Sequence, residues 1–112
     1  MLTSNANLKQ AILTVLQDWL NFLGNDPETQ LKIVIDETND HYLLVEHGWQ
    51  GDQRIYGVLI HLDIINHKIW IQHDGTEDGI ASELVAIGIP KQQIVLGFKS
   101  EERRHITEFA SS

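Results

Sequence analysis

Apolar residues recur at two different periods along this 112-residue chain. From about Asn7 to Leu23 they fall at Leu8, Ile12, Val15, Leu16, Trp19 and Leu23, the spacing of a single helical stripe. Lys9, Gln10, Thr14, Gln17, Asp18 and Asn21 take the opposite face. Ser4, Asn5 or Asn7 can cap the start of this helix. Gly24 suits the left-handed residue just past its end, and Pro27 prevents its resumption. From Leu31 the period changes to two. Leu31, Ile33 and Ile35 alternate with Lys32, Val34 and Asp36, which predicts a strand with one buried face.

The stretch from His41 to Thr76 continues the strand pattern in three runs. In the first, Leu43 and Val45 face one way and Tyr42 and Leu44 the other, with Gly48 marking a bulge near its end. After a turn at Gln50-Gly51-Asp52, the second run extends from about Gln53 to Ile64. Unbroken alternation there puts Tyr56, Val58, Ile60, Leu62 and Ile64 on one face and Ile55, Gly57, Leu59, His61 and Asp63 on the other. Apolar residues on both faces suggest a central position in the sheet. Asn66-His67 turns the chain into the third run, Lys68 to His73. A two-residue turn needs positive φ at both central positions, so His67 there is strained unless the loop is longer.

Asp74-Gly75-Thr76 breaks the strand. Thr76 reads as the N-cap of a second helix, with Glu77 and Asp78 in its first turn and Ile80, Ala81, Leu84 and Ile87 as its stripe. Gly88 and Pro90 end it. Ile94 to Phe98 reads as a fifth strand, and Phe109 in the charged tail suggests that the tail folds back. The expected architecture is therefore α+β: a single domain over residues 1–112 with an N-terminal helix, an antiparallel meander of four strands, a second helix and a short final strand.

Composition narrows the chemistry. The chain has no cysteine, so disulfides, thiolate metal sites and a cysteine nucleophile are excluded. The net charge is −8, from 8 basic and 16 acidic residues. The tight basic pair Arg103-Arg104 stands beside Glu101-Glu102, so direct nucleic-acid binding is disfavoured and a basic protein partner suits the charge better. With no secretory leader and no apolar run of the roughly 20 residues that span a bilayer, the expectation is a soluble cytoplasmic protein without membrane contact.

Six histidines invite a metal or phosphoester hypothesis. His61 and Asp63, two apart on a strand, point to the same side, and His73-Asp74 ends the neighbouring strand. These four are the candidate set for a small metal- or phosphoester-handling enzyme. No fixed-spacing ligand motif accompanies them, and the alternative is a set of ordinary sheet-surface histidines. The run Gln72-His73-Asp74-Gly75-Thr76 is similar to the Asp-x-Asp-Gly-Thr loop of haloacid-dehalogenase-type phosphatases, but Gln72 stands where the nucleophilic carboxylate is needed. The residues thus supply no catalytic group, no metal site and no cofactor site as a motif. Trp49, Arg54 and Trp70 are candidate partner-binding residues, because Trp and Arg combine large buried area with hydrogen bonding. Their alternative role is to cover a second small core, and burial of both indoles would leave only that role.

The run from Asp40 to Phe98 resembles the XisI family, the fdxN-element excision controlling factor of filamentous cyanobacteria. The resemblance is carried by Asp40-His41-Tyr42, Gly48-Trp49-Gln50-Gly51, Arg54-Ile55-Tyr56-Gly57, His61-Leu62-Asp63-Ile64, Lys68-Ile69-Trp70-Ile71-Gln72, Asp74-Gly75-Thr76-Glu77 and Val95-Leu96-Gly97-Phe98, with Thr107-Glu108-Phe109-Ala110 at the end. The family favours a glycine where this chain has His67. The resemblance implies an XisI-like fold and a non-enzymatic accessory role in a programmed DNA rearrangement of heterocysts. The partners it implies are an XisH-like protein and the site-specific recombinase XisF. Sheet edges and exposed aromatic candidates are also compatible with a homodimer.

Overall fold

The first amphipathic stripe folds as α1, Asn5–Leu23, with Ser4 as its cap: the Ser4 hydroxyl accepts from Asn7 N–H at 3.3 Å. Its buried residues Leu8, Ala11, Ile12, Val15 and Leu16 form the face that meets the sheet. Gly24 ends it with φ −72°, not in the left-handed conformation expected. Glycine is needed there for space, since a Cβ would lie 2.5 Å from the Leu20 carbonyl oxygen. The computed structural model describes residues 2–112.

Five strands follow the order β1-β2-β3-β4-β5. They are β1 (Thr29–Asp36), β2 (His41–Gln50), β3 (Gln53–Ile65), β4 (Lys68–Asp74) and β5 (Ile94–Val95). The first four form the expected antiparallel meander. β5 is only two residues long and runs parallel to β4, so the sheet is mixed and the fifth strand shorter than Ile94–Phe98. The tail carries a short helix α3 (Glu101–Arg104) and returns to the sheet, where Ala110 N–H donates to the Ile94 carbonyl at 2.9 Å.

β3 departs from the expected alternation. Val45 pairs with Val58, but Leu44 pairs with Ile60, which leaves Leu59 as an extra residue. Such a bulge exchanges the two faces of a strand. Ile60, Leu62 and Ile64 therefore enter the core, while Tyr56 is 80% exposed and Val58 39% exposed on the other side. The bulge sits there and not at Gly48. Gly48 serves close approach instead, since a Cβ would lie 2.1 Å from the Glu28 carbonyl oxygen.

The core packs α1 and a second helix, α2 (Ile80–Ala86), on one face of the sheet, against Tyr42, Leu44, Ile60, Leu62, Ile69 and Ile71. α2 starts later than Thr76. Asp74 holds its start: Asp74 Oδ2 accepts from Ile80 N–H at 2.8 Å, and Oδ1 accepts from Thr76 N–H and from the Thr76 hydroxyl at 2.9 and 2.6 Å. Residues 75–79 are thus a loop wrapped on a carboxylate. Gly88, at φ 107°, follows the helix as expected. Among the described residues no helix is long and apolar enough to cross a membrane.

Asn66 and His67 form a two-residue turn between the paired residues Ile65 and Lys68, with φ 50° and 61°. His67 is thus held in the left-handed region, where a side chain collides with the following carbonyl. Replacing it with glycine, His67→Gly, should raise stability by about 0.5–1 kcal/mol, once the entropy glycine adds to the unfolded chain is subtracted. Urea unfolding of the two proteins checks this.

Candidate functional site

Three polar side chains converge on the sheet face opposite α1 and α2. His41 opens β2 directly opposite Asp63 of β3, and His61 lies two residues before Asp63 on the same side. His41 Nδ1 donates to Asp63 Oδ1 at 2.7 Å, and His61 Nε2 donates to the same oxygen at 2.8 Å. A carboxylate oxygen only accepts, so each of these ring nitrogens carries a proton. The other carboxylate oxygen accepts from Gln72 Nε2 at 3.2 Å. The imidazoles meet edge to face with centroids 6.0 Å apart.

Asp63 is 6% exposed, with Trp70 of β4 directly opposite it on the side away from His41. A buried carboxylate with no partner would be costly, and here two imidazoles and an amide satisfy it. The hydrogen bond and the charge of Asp63 raise the His41 pKa above the usual histidine range, with smaller contributions from Asp36 and Asp40. On the inner face beside it, Tyr42 is fully buried; burial and its hydrogen bond to Asp40 push the phenol up to about 12.

Of the four residues expected to work together, the fold brings together His61 and Asp63 and leaves out His73 and Asp74. Asp74 is engaged in holding α2. His73 pairs with His61 in register, but its ring leans toward Gly75, with Nε2 3.8 Å from where a Cβ there would stand. His41 is the member that strand periodicity missed. Counting back from the Gln50–Gln53 pair without a bulge sets His41 opposite Leu62; the extra Leu59 moves it opposite Asp63.

The aromatic candidates separate. Trp49 and Arg54 are cross-strand partners near the tip of the β2–β3 hairpin, where the Arg54 guanidinium lies 5.4 Å from the Trp49 ring and 5.8 Å from the Tyr56 ring. Trp49 is 55% exposed. Trp70 is opposite Asp63, nine residues further along β3, roughly 30 Å away at strand rise. The Arg104 guanidinium from the tail covers it at 5.3 Å. Trp49, Arg54 and Tyr56 thus form one exposed cluster, and Trp70 is held by the tail. On the helical side, a groove of about 280 Å³ between α1 and the approach to α2 is lined by Asp18, Trp19, Phe22, Asp78 and Glu83.

A family model described as XisI protein matches residues 2–111. The crystal structure of a XisI-like protein from Anabaena variabilis is 31% identical, covers 96% of this chain and 98% of its own, and superposes with a TM-score of 0.89. The crystal structure of the fdxN element excision controlling factor XisI from Anabaena variabilis is 32% identical, covers 96% and 97%, and has a TM-score of 0.82. No curated protein matches the chain.

NMR titration of the ring protons should give His41 a pKa above the ordinary value of about 6.5, returning toward it in Asp63→Asn. Because the folded-state pKa is the raised one, the stability this pair contributes is complete below the ordinary value and is lost as pH rises through the folded value. Asp74→Ala should leave that titration unchanged and cost about 1–2 kcal/mol in thermal or urea unfolding, the range for a lost helix cap.

Proposed function

The chain belongs to the XisI family, and from that membership we propose that it is a regulatory protein that controls excision of a DNA element by docking on a protein partner, without chemistry of its own. The observation that carries this reading is the likeness, over 96% of the chain at 32% identity, to a protein named as an excision controlling factor. The partners that suit it are an XisH-like protein and an XisF-type recombinase, and its place of work is the cytoplasm.

The surface supports a docking role. The sheet face turned away from α1 and α2 exposes Val34, Trp49, Tyr56 and Val58. At the hairpin tip, Arg54 against Trp49 and Tyr56 is the residue mix that dominates protein interfaces. The net charge of −8 opposes approach to DNA phosphates and favours a basic partner surface.

Co-purification of the chain with an XisH-like protein or with an XisF-type recombinase should recover a complex. The double variant Trp49→Ala, Tyr56→Ala should weaken it by about 2 kcal/mol, roughly 30-fold in Kd, if the hairpin tip is the hot spot. Failure of the wild-type chain to recover either protein would sink this reading. A gel shift at low salt that fades steeply as salt is added would instead establish direct DNA binding.

A further inference from the structure

We propose that His41, His61 and Asp63 bind a first-row divalent transition-metal ion, with water completing its coordination. The inference stands on the geometry of the outer sheet face and is independent of the excision reading. Each residue offers one ligand atom, and the three atoms lie within 4.8 Å of one another. Two imidazole nitrogens and one carboxylate oxygen are the donor set that zinc, iron(II), cobalt and nickel accept, whereas magnesium and calcium prefer oxygen alone.

The three residues have the division of labour that such a site needs. Asp63 is the fixed ligand: its side chain is 8% exposed, and Gln72 Nε2 holds the oxygen that faces away from the histidines. An outer partner of this kind orients a ligating carboxylate. The imidazoles are the adjustable ligands, since their side chains are 47% and 30% exposed and can turn without disturbing the core. A tetrahedral ion with bonds near 2.0–2.1 Å sets neighbouring ligand atoms roughly 3.3 Å apart. The present nitrogen–oxygen separations of 2.7 and 2.8 Å need to open by only about half an ångström. On binding, His41 Nδ1 and His61 Nε2 each give up their proton to solvent or to the other nitrogen of the same ring, which carries the remaining N–H, so that two neutral imidazoles direct the freed lone pairs to the ion. The side of the ion away from the sheet faces solvent, so the site has three protein ligands and open positions, unlike closed structural zinc sites.

The test is calorimetric titration of the full, tag-free chain with ZnCl₂ and CoCl₂, with the visible spectrum of the cobalt form. The expected result is one ion per chain and cobalt bands of low coordination number. His41→Ala and His61→Ala, both at the solvent edge, should abolish binding while circular dichroism shows a folded chain. Gln72→Ala should weaken binding by about 10- to 100-fold, the range for outer partners of metal ligands. His73→Ala should leave it unchanged. Absence of binding by the folded wild-type chain overturns the proposal, as does undiminished binding by His61→Ala or loss of binding on His73→Ala.

Discussion

Leu59 is one residue more than β2 can pair with, and much of the outer surface follows from it. The hairpin that closes at Gly51-Asp52 fixes a register in which inward residues of β2 would oppose outward residues of β3 once the core is reached. Tyr42 and Leu44 must face α1, and so must Ile60, Leu62 and Ile64. Both sets can do so only if one residue is left over between them. The Leu59 carbonyl accepts from Gly75 N–H at 2.8 Å, and the Leu59 side chain still packs on the core. The bulge is thus a satisfied feature, set beside the loop that leads into α2.

The same shift sorts the polar and apolar residues of the outer face. Toward the hairpin tip it turns Tyr56 and Val58 outward, beside Trp49 and Arg54. Toward the other end it turns His61 and Asp63 outward and slides His41 opposite Asp63. An exposed aromatic cluster and a His–Asp–His cluster therefore occupy one sheet face, separated along β3. On the opposite face the helices α1 and α2 seal the core, and polar groups are few and paired. Gln93 illustrates the cost of burial met in full: its amide donates to the carbonyls of Thr3 and His67 and accepts from Thr3 N–H. It ties the N-terminus to the β3–β4 turn that His67 strains.

Local signals mark α1, the first four strands and the hairpin turns well, because each depends on neighbours a few positions away. The stripe from Leu8 to Leu16 needs only the helical period, and Ser4 needs only the free N–H groups of the first turn. The start of α2 is less legible. Thr76 is a good cap in isolation, but Asp74 reaches across the loop to Ile80 and wins by offering two carboxylate oxygens. β5 is shorter than its apolar run because the chain turns after Val95, with Gly97 N–H donating back to the Val95 carbonyl at 3.0 Å before Phe98 N–H returns to the Ile71 carbonyl of β4.

The order of the amino acids determined the α+β class, the meander, the anionic surface and the family membership, since composition, period and short motifs all lie within the chain's local reach. It also put His61 beside Asp63, because residues two apart on a strand share a side. The tertiary structure decided which side that was, and that His41 and Gln72 would join them while His73 and Asp74 would not. The reason is that strand register is set by how a whole face fits its core. An unpaired residue, Leu59 between β2 and β3 and Gln72 between β3 and β4, changes every cross-strand neighbour beyond it without altering the alternation that is visible in the sequence.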